Sequence, residues 1–268
     1  RQRHLTIPCE MCIRDRMLGA PPIARDPLYR AAGQMPAFDL RFDRGSIVDV
    51  IGGITPTFTR PSSTKLVWNG SQFVSVAADV PALQVDPLTG RLGYLNEPSA
   101  TNLALRSSEF DNAAWSSAGG FRTVTANDAT SPDGAVTADR LTADGTSNPH
   151  FASQSFTLTA QAYTFTVFAK AGTNSFFQVR TFSGFGGAHA NFDLATGAVG
   201  TFSATSSFII PYANGWYRCG MVFTPLAATS GIGLYIVDSA SASSGAANSL
   251  ATSVLLWGAQ LQTGTVAD

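Results

Sequence analysis

Three features of the chain predict an all-β protein, an antiparallel β-sandwich of the jelly-roll kind preceded by a hairpin-rich N-terminal segment. The first is strand-period alternation: in "AYTFTVFAKAG", Tyr163, Phe165, Val167 and Ala169 share one side, and Thr164, Thr166, Phe168 and Lys170 the other. The second is composition. Charged residues make up 13% of the 268, against about 25% in ordinary globular proteins. Thr, Val and Phe are abundant and suit a pleated, half-buried surface. The third is punctuation, with Gly, Asn, Asp and Ser turns breaking the chain at roughly 8 to 14 residue intervals and no convincing amphipathic helix between them.

Residues 1–16 contain Cys9 and Cys12 in a Cys-x-x-Cys pair. A structural zinc site needs about four ligands, usually in two close pairs, and no second pair exists. Cys219, His150 and His189 are dispersed, and no βαβ context supports a redox couple. The "MCIRDR" stretch resembles translated read-through of a sequencing adaptor, common at the ends of frames assembled from environmental DNA. Residues 1–16 are therefore set aside as disordered, and the authentic chain is expected to begin near Met17.

Setting them aside removes Arg1, Arg3, Arg14, Arg16, Glu10 and Asp15, so 17 basic against 18 acidic residues becomes 13 against 16. Lys65 and Lys170 are the only lysines, and no basic cluster exists to displace phosphate counterions; nucleic-acid binding is not expected. No apolar run approaches the roughly 20 residues of a membrane span, and no export signal opens the chain. One remaining cysteine, Cys219, alternates with apolar neighbours and is expected in the core.

In order along the chain, residues 17–37 read as a linker, residues 38–106 as the leading β-rich segment and residues 107–268 as the sandwich. In the leading segment, Asn69-Gly70 between "KLVW" and "SQFVSV" predicts a hairpin with a type I′ turn. "DPLTG" predicts a second turn, with Pro87 presetting φ and Gly90 closing it. This segment is thin in apolar residues and is expected to lean on a neighbour or another subunit. Nine strands follow: "FRTVTAN", "GAVTADRLTA", "HFASQSFTL", "AYTFTVFAKAG", "SFFQVRTFS", "AHANFDL", "WYRCGMVFT", "GIGLYIV" and "SVLLWGAQLQ". In the last, Trp257 shares the phase of Leu255, Ala259 and Leu261 and is expected in the core.

Enzymatic chemistry finds few supports. A triad needs a nucleophile, a His and an orienting acid, and neither His150 nor His189 lies in a recognisable motif. Glycoside hydrolysis needs paired carboxylates; after Asp144 only Asp193, Asp238 and Asp268 remain, and Asp193 sits in a turn. The chain is not expected to be an enzyme.

"TFTRPSS" (57–63), "DPLTGRLGYLNEPSATNLALRSSEFDNAAW" (86–115), "NGWYRC" (214–219) and "LLWGAQLQTG" (255–264) together resemble a family of tailed-phage and prophage structural proteins. Its members are tail fibre, head spike or fibre components in which a β-rich segment precedes a jelly roll similar to carbohydrate-binding modules. The resemblance covers roughly residues 38–264. It departs at Val80-Pro81-Ala82, where relatives often have Val-Pro-Arg, and at Gln260-Leu261-Gln262, where they often read Gln-Leu-Glu. Relatives tend to continue past Asp268. The resemblance implies a virion protein whose partners are other virion proteins, host-surface glycans and further copies of itself. No cofactor is expected; jelly rolls of this type often carry a structural calcium, for which Glu109, Asp111 and Asn112 are the candidate ligands, but solvated turn acids are the commoner reading of these residues.

Sugar rings pack their C–H faces on aromatic side chains while planar polar groups hold their hydroxyls. Strand phase points Phe176, Gln178, Arg180, His189 and Asn191 away from the core, and sets Trp216 and Arg218 opposite to Tyr217, Cys219 and Met221. These seven residues form the candidate glycan-binding set on a concave sheet face. The competing reading is a face covered by the leading segment or a neighbouring subunit. The competing function is a free carbohydrate-binding module from a polysaccharide-degrading enzyme, in which the leading segment has no obvious place.

Overall fold

A computed structural model describes Gly45 and residues 56–60, 64–95, 100–115, 120–247 and 251–265. The adaptor-like stretch and the linker lie outside the described residues. Among the described residues no helix is long and apolar enough to cross a membrane. The chain divides into two compact units; one takes residues 56–60, 64–67, 75–86 and 91–95, and the other residues 68–74, 87–90 and the described part of 100–265.

In the smaller unit, Arg60 fastens the chain to itself. Its N–H donates to Asp79 Oδ1 at 2.8 Å, and its guanidinium donates to the carbonyls of Val76 and Ala77. Phe58 packs against Tyr94 with ring centroids 5.6 Å apart. Strands β1 (Thr64–Trp68) and β2 (Phe73–Ala77) make one two-stranded sheet, whose turn end from Trp68 to Val74 belongs to the larger unit, and β3 (Leu83–Val85) and β4 (Leu92–Tyr94) make another. The second hairpin closes as expected, with Gly90 at φ 68° and the Asp86 N–H on the Arg91 carbonyl at 2.8 Å. The first is a four-residue loop instead of a type I′ turn. Gly70 alone takes a positive φ, of 100°, while the Asn69 carboxamide oxygen accepts from the N–H groups of Ser71 and Gln72. Asn69 acts through its side chain here, the other reason Asn favours turns.

The larger unit is the sandwich. Its strands are β5 (Arg122–Thr130), β6 (Val136–Ala143), β7 (His150–Leu158), β8 (Tyr163–Ala171), β9 (Phe176–Thr181), β10 (His189–Asp193), β11 (Ala198–Phe202), β12 (Ser206–Pro211), β13 (Trp216–Phe223), β14 (Ala228–Ile236) and β15 (Ser253–Thr263). A five-stranded sheet has the order β11-β10-β9-β14-β7 and a six-stranded sheet the order β12-β13-β8-β15-β6-β5. Neighbouring strands run antiparallel. The last two strands insert mid-sheet, β14 between β9 and β7 and β15 between β8 and β6. Eleven strands exceed the nine or ten expected because β11 and β12 are short, half-exposed edge strands without clear alternation.

The alternation holds where it was expected. Phe165, Val167, Cys219 and Met221 from one sheet meet Phe177, Val179, Phe192, Ile232 and Leu234 from the other in the main core, all fully buried. Each such large apolar side chain is worth about 1.5–3 kcal/mol of transfer free energy. Burial also pushes the Cys219 thiol well above its usual range, which suits a packing residue and not a nucleophile.

One phase expectation is overturned. The β15–β8 register runs Trp257↔Phe168 and then Gln260↔Thr166, one residue too many, with Gly258 at φ 63°. This glycine bulge inverts the alternation, so Val254 and Leu256 before it, and Ala259 and Leu261 after it, face the main core. Leu255 and Trp257 face the opposite side, in a second cluster with Phe168, Trp216 and Ala138. Trp257 is buried, but on the outer face of the six-stranded sheet.

Candidate functional site

The seven candidate glycan-binding residues lie on two different sheets. Phe176, Gln178 and Arg180 on β9 with His189 and Asn191 on β10 occupy the outer face of the five-stranded sheet. Trp216 and Arg218 are on β13 of the six-stranded sheet. Strand phase identifies outward residues but not the sheet that bears them, so the single face drawn from the sequence divides.

The outer face of the six-stranded sheet is covered. Trp216 is 1% exposed and its indole N–H donates to the Thr130 carbonyl at 3.1 Å. Phe73, beyond the tip of the first hairpin, sits 5.5 Å from Phe168 and 6.1 Å from Trp257, centroid to centroid, and stacks on Tyr212. Trp68 meets Tyr212 edge-on at 4.7 Å. Trp216 is therefore a packing residue, in agreement with the covered-face reading. Arg218 lies further along the strand, its Nη2 within 3.4 Å of Thr166 Oγ1 and 3.3 Å of Gln260 Oε1.

The outer face of the five-stranded sheet is covered at one end. Gln178 and Asn191 are fully buried. Gln178 Nε2 donates to Asn191 Oδ1 at 2.8 Å and to the Ser243 carbonyl at 3.0 Å, and its Oε1 accepts from Gly245 N–H at 2.7 Å. Asn191 Nδ2 donates to the Ala242 carbonyl at 2.8 Å and Thr201 Oγ1 at 2.9 Å. The Ser/Ala/Gly connection between β14 and β15 thus folds back as a roof, and the two amides satisfy its backbone. Both leave the candidate set for that reason. Phe176 is half-buried beside this roof, packed with Phe151, Tyr235, Val237 and Ala242.

Beyond the roof's edge the same face keeps a polar and aromatic group that is partly open. The Arg180 guanidinium lies 5.8 Å from the ring centroids of both Phe182 and Tyr235, and Nη1 donates to Tyr235 Oη at 3.1 Å. Phe151 stacks on Tyr235 at 4.5 Å and meets Phe182 edge-on at 5.7 Å. Phe182 lies over β14, where a side chain at Gly231 or Gly233 would strike its ring at 2.6 or 3.1 Å. Gly245, at φ 67°, lets the roof approach Arg180: a Cβ there would meet Nη1 at 2.5 Å. Arg180, Phe182 and His189 are half-exposed, whereas Tyr235 and Phe151 are buried beneath them. Burial pushes the Tyr235 phenol up, and the Arg180 contact pulls it partly back.

His189 stands directly opposite Arg180 across the β9–β10 ladder. Ser203 Oγ accepts the His189 backbone N–H at 3.1 Å and lies 2.9 Å from Nδ1. Either atom of the Ser203 Oγ–His189 Nδ1 pair can donate, according to the imidazole tautomer. Partial burial, and then the Arg180 charge, hold the His189 pKa below its ordinary value. Phe182 and Tyr235 complete the group but were missed in the sequence: Phe182 follows the end of β9, and Tyr235 reads as one more residue of an apolar strand.

The calcium candidates are committed elsewhere. Glu109 pairs with Arg106 at 3.4 Å and accepts from Asn112 Nδ2 at 3.4 Å, while Asn112 Oδ1 accepts the Ala114 N–H at 3.1 Å. Asp111 is exposed. Among the described residues no group of three or more His, Cys, Asp or Glu is placed to hold a metal ion.

The motifs behind the family resemblance have architectural roles. Asn102 Oδ1 accepts Leu261 N–H at 2.9 Å, its Nδ2 donates to the Ala259 carbonyl at 3.0 Å, and Leu103 N–H donates to the Leu261 carbonyl at 2.7 Å. "TNLALRS" therefore takes up the edge of β15 beyond the bulge, where pairing to β6 has ended. Gln154 grips Leu105 N–H and carbonyl through its amide, at 2.7 and 2.9 Å. Phe110 and Trp115 fill the core, and the Trp115 N–H donates to the Arg106 carbonyl at 2.9 Å. Buried Asp139 accepts the Phe110 and Asn127 N–H groups at 2.6 and 2.9 Å. Burial pushes its carboxyl up and these bonds oppose the shift.

No family model matches the chain, and no curated protein matches it in sequence. Solved structures do. The enzymatically active domain of bacteriophage CBA120 tailspike protein 4 is 16% identical over 61% of this chain and 21% of that one, with a TM-score of 0.37. A CBM4 structure is 13% identical over 59% of this chain and 93% of that one, with a TM-score of 0.33. The CBM22-1 xylan-binding domain of Xyn10C from Paenibacillus barcinonensis is 14% identical over 63% and 95%, with a TM-score of 0.34. The chain spans about a fifth of the tailspike chain.

Proposed function

We propose that the sandwich is a non-enzymatic glycan-binding module and that the chain is a fibre or spike component of a phage virion. The observation that carries the binding reading is the half-exposed Arg180–Phe182–His189 group, built on buried aromatic rings of the five-stranded sheet where the roof, at Gly245, passes over Arg180. A sugar ring can lay its C–H face on Phe182 while Arg180 donates to its hydroxyls and the His189 imidazole bonds to them, the division of labour that small-molecule sites use. Exposed Ser183, Ser155 and Thr157 lie on or beside the same face and offer further hydroxyls. The virion reading is supported by the four sequence motifs in their order. Partners on this reading are other virion proteins and host-surface glycans.

The test is glycan titration of wild type and Phe182→Ala. Loss of an aromatic anchor at a binding centre costs about 1–3 kcal/mol of affinity. Wild type that binds no member of a broad glycan array would end the binding reading. Binding unchanged in Phe182→Ala would move the site away from this face.

A further inference from the structure

We infer that the ligand of this face is an acidic glycan whose carboxylate sits between Arg180 and His189. The inference rests on the glycan-binding reading above and adds the ligand's charge.

Arg180 is a permanent cation with five N–H donors. Among the described residues it makes one hydrogen bond, to Tyr235 Oη, and its buried Nε finds no partner. No carboxylate lies within ion-pairing distance of it among the described residues, although Arg106 and Arg140 each have one. The nearest acid on its neighbour β10 is Asp193, two outer-face positions beyond His189, and that carboxylate is engaged with Ala195 N–H and Thr196 Oγ1 at 2.9 and 2.8 Å. On the roofing connection Asp238 is exposed. Facing Arg180 are the neutral Tyr235 phenol and Phe182 ring, the Gly245 backbone and His189. A half-buried guanidinium with most of its fork unused and no counter-ion is costly to keep, and it matches a planar carboxylate in a way that neutral hydroxyls do not. His189 adds an imidazole directly opposite Arg180 on the same face. Its pKa, held down beside Arg180, will rise when an anion is bound, so binding draws a proton onto the ring.

The test uses the full chain and matched probes: an oligogalacturonate against its carboxyl-reduced neutral form, and sialyllactose against lactose. These two arms separate a uronate source of the carboxylate from a sialate one. The expected result is at least a tenfold preference, about 1.4 kcal/mol, for the acidic member of one pair. That preference should shrink as salt is raised from about 20 to 500 mM, because surface ion pairing is screened. It should strengthen as pH falls below about 6.5, with the pH dependence lost in His189→Ala. Arg180→Gln should bring acidic and neutral affinities together while the melting temperature shows the variant folded; if it does not fold, the salt and His189→Ala measurements carry the decision. Equal binding of the neutral and acidic probes overturns the charge assignment and leaves the glycan reading standing. Binding of none of the four, with none on a broad array, removes both. An acidic preference that survives in folded Arg180→Gln overturns the assignment to Arg180.

Discussion

Replacing Trp216 by Ala separates a packing role from a binding role most sharply. The side chain is 1% exposed, in a cluster with Phe168, Leu255, Trp257 and Ala138. A buried Trp removes about 150–250 Å² from water, which at about 25 cal/mol per Å² gives about 4–6 kcal/mol as an upper figure. Ala keeps part of that area and the aromatic neighbours relax partly into the gap, so measured deletions of large buried aromatics fall at about 3–5 kcal/mol. The hydrogen bond from Nε1 to Thr130 adds little, because Thr130 is exposed and its carbonyl can turn to water. For a unit of this size each kcal/mol moves the midpoint by about 2–4 °C, so the melting temperature should fall by about 6–20 °C. Circular dichroism melts with urea titration at 25 °C measure this, and glycan titration of the surviving folded fraction should show affinity unchanged. A midpoint within about 2 °C of wild type, or lost binding with stability intact, would refute the packing assignment.

Gly258→Ala should cost about 1–2 kcal/mol, since φ is 63° and the new Cβ would meet Phe168 Cδ2 at 3.3 Å; a urea midpoint equal to wild type would mean that the bulge is not needed to invert the strand's phase. Asn102→Ala should cost about 1–3 kcal/mol by orphaning the buried Leu261 N–H, and hydrogen exchange should speed up at the Leu261 and Ala104 amides, both bonded to Asn102 Oδ1. Asp144 is held down to about 2, chiefly by the Thr146 hydroxyl and N–H and then by His150. Its folded pKa is below the unfolded value of about 3.9, so its contribution is full above about pH 4 and is lost as pH falls through about 2. Asp144→Asn should flatten the stability profile in that window, and an unchanged acid limb in urea titrations at pH 4, 3 and 2 would exclude it.

The fold was legible because strand phase follows from core packing. Phe165, Val167, Phe177, Val179, Cys219 and Met221 all point where their period-two pattern directs them. Phase fails where one residue is added to a strand. Gly258 is a single glycine in an otherwise continuous run, and nothing local distinguishes a bulge from a plain strand position, so Trp257 was placed on the wrong face. The pattern also says nothing of which sheet a strand joins, because pairing is set by contacts distant in sequence. That is why β13 and β9 residues were drawn together although β13 pairs with β8 and β9 with β14.

Exposure is a further matter, decided by what lies over an outer face. The residues 237–247 connection is rich in Ser, Ala and Gly and reads as a solvated loop. It carries almost no hydrophobic signal, yet it roofs β9 and β10 at Gln178 and Asn191, because its carbonyls at Ala242 and Ser243 are taken by Asn191 and Gln178. A carboxamide at an outward strand position serves a glycan hydroxyl and a loop backbone by the same chemistry, so Gln178 and Asn191 were chemically sound candidates that a neighbouring loop had already claimed. Arg180 differs in that the loop passes over it with a glycine and takes none of its donors. Among the outward residues of β9 and β10 its unused hydrogen-bonding capacity, and not its residue type, is what the proposed site rests on.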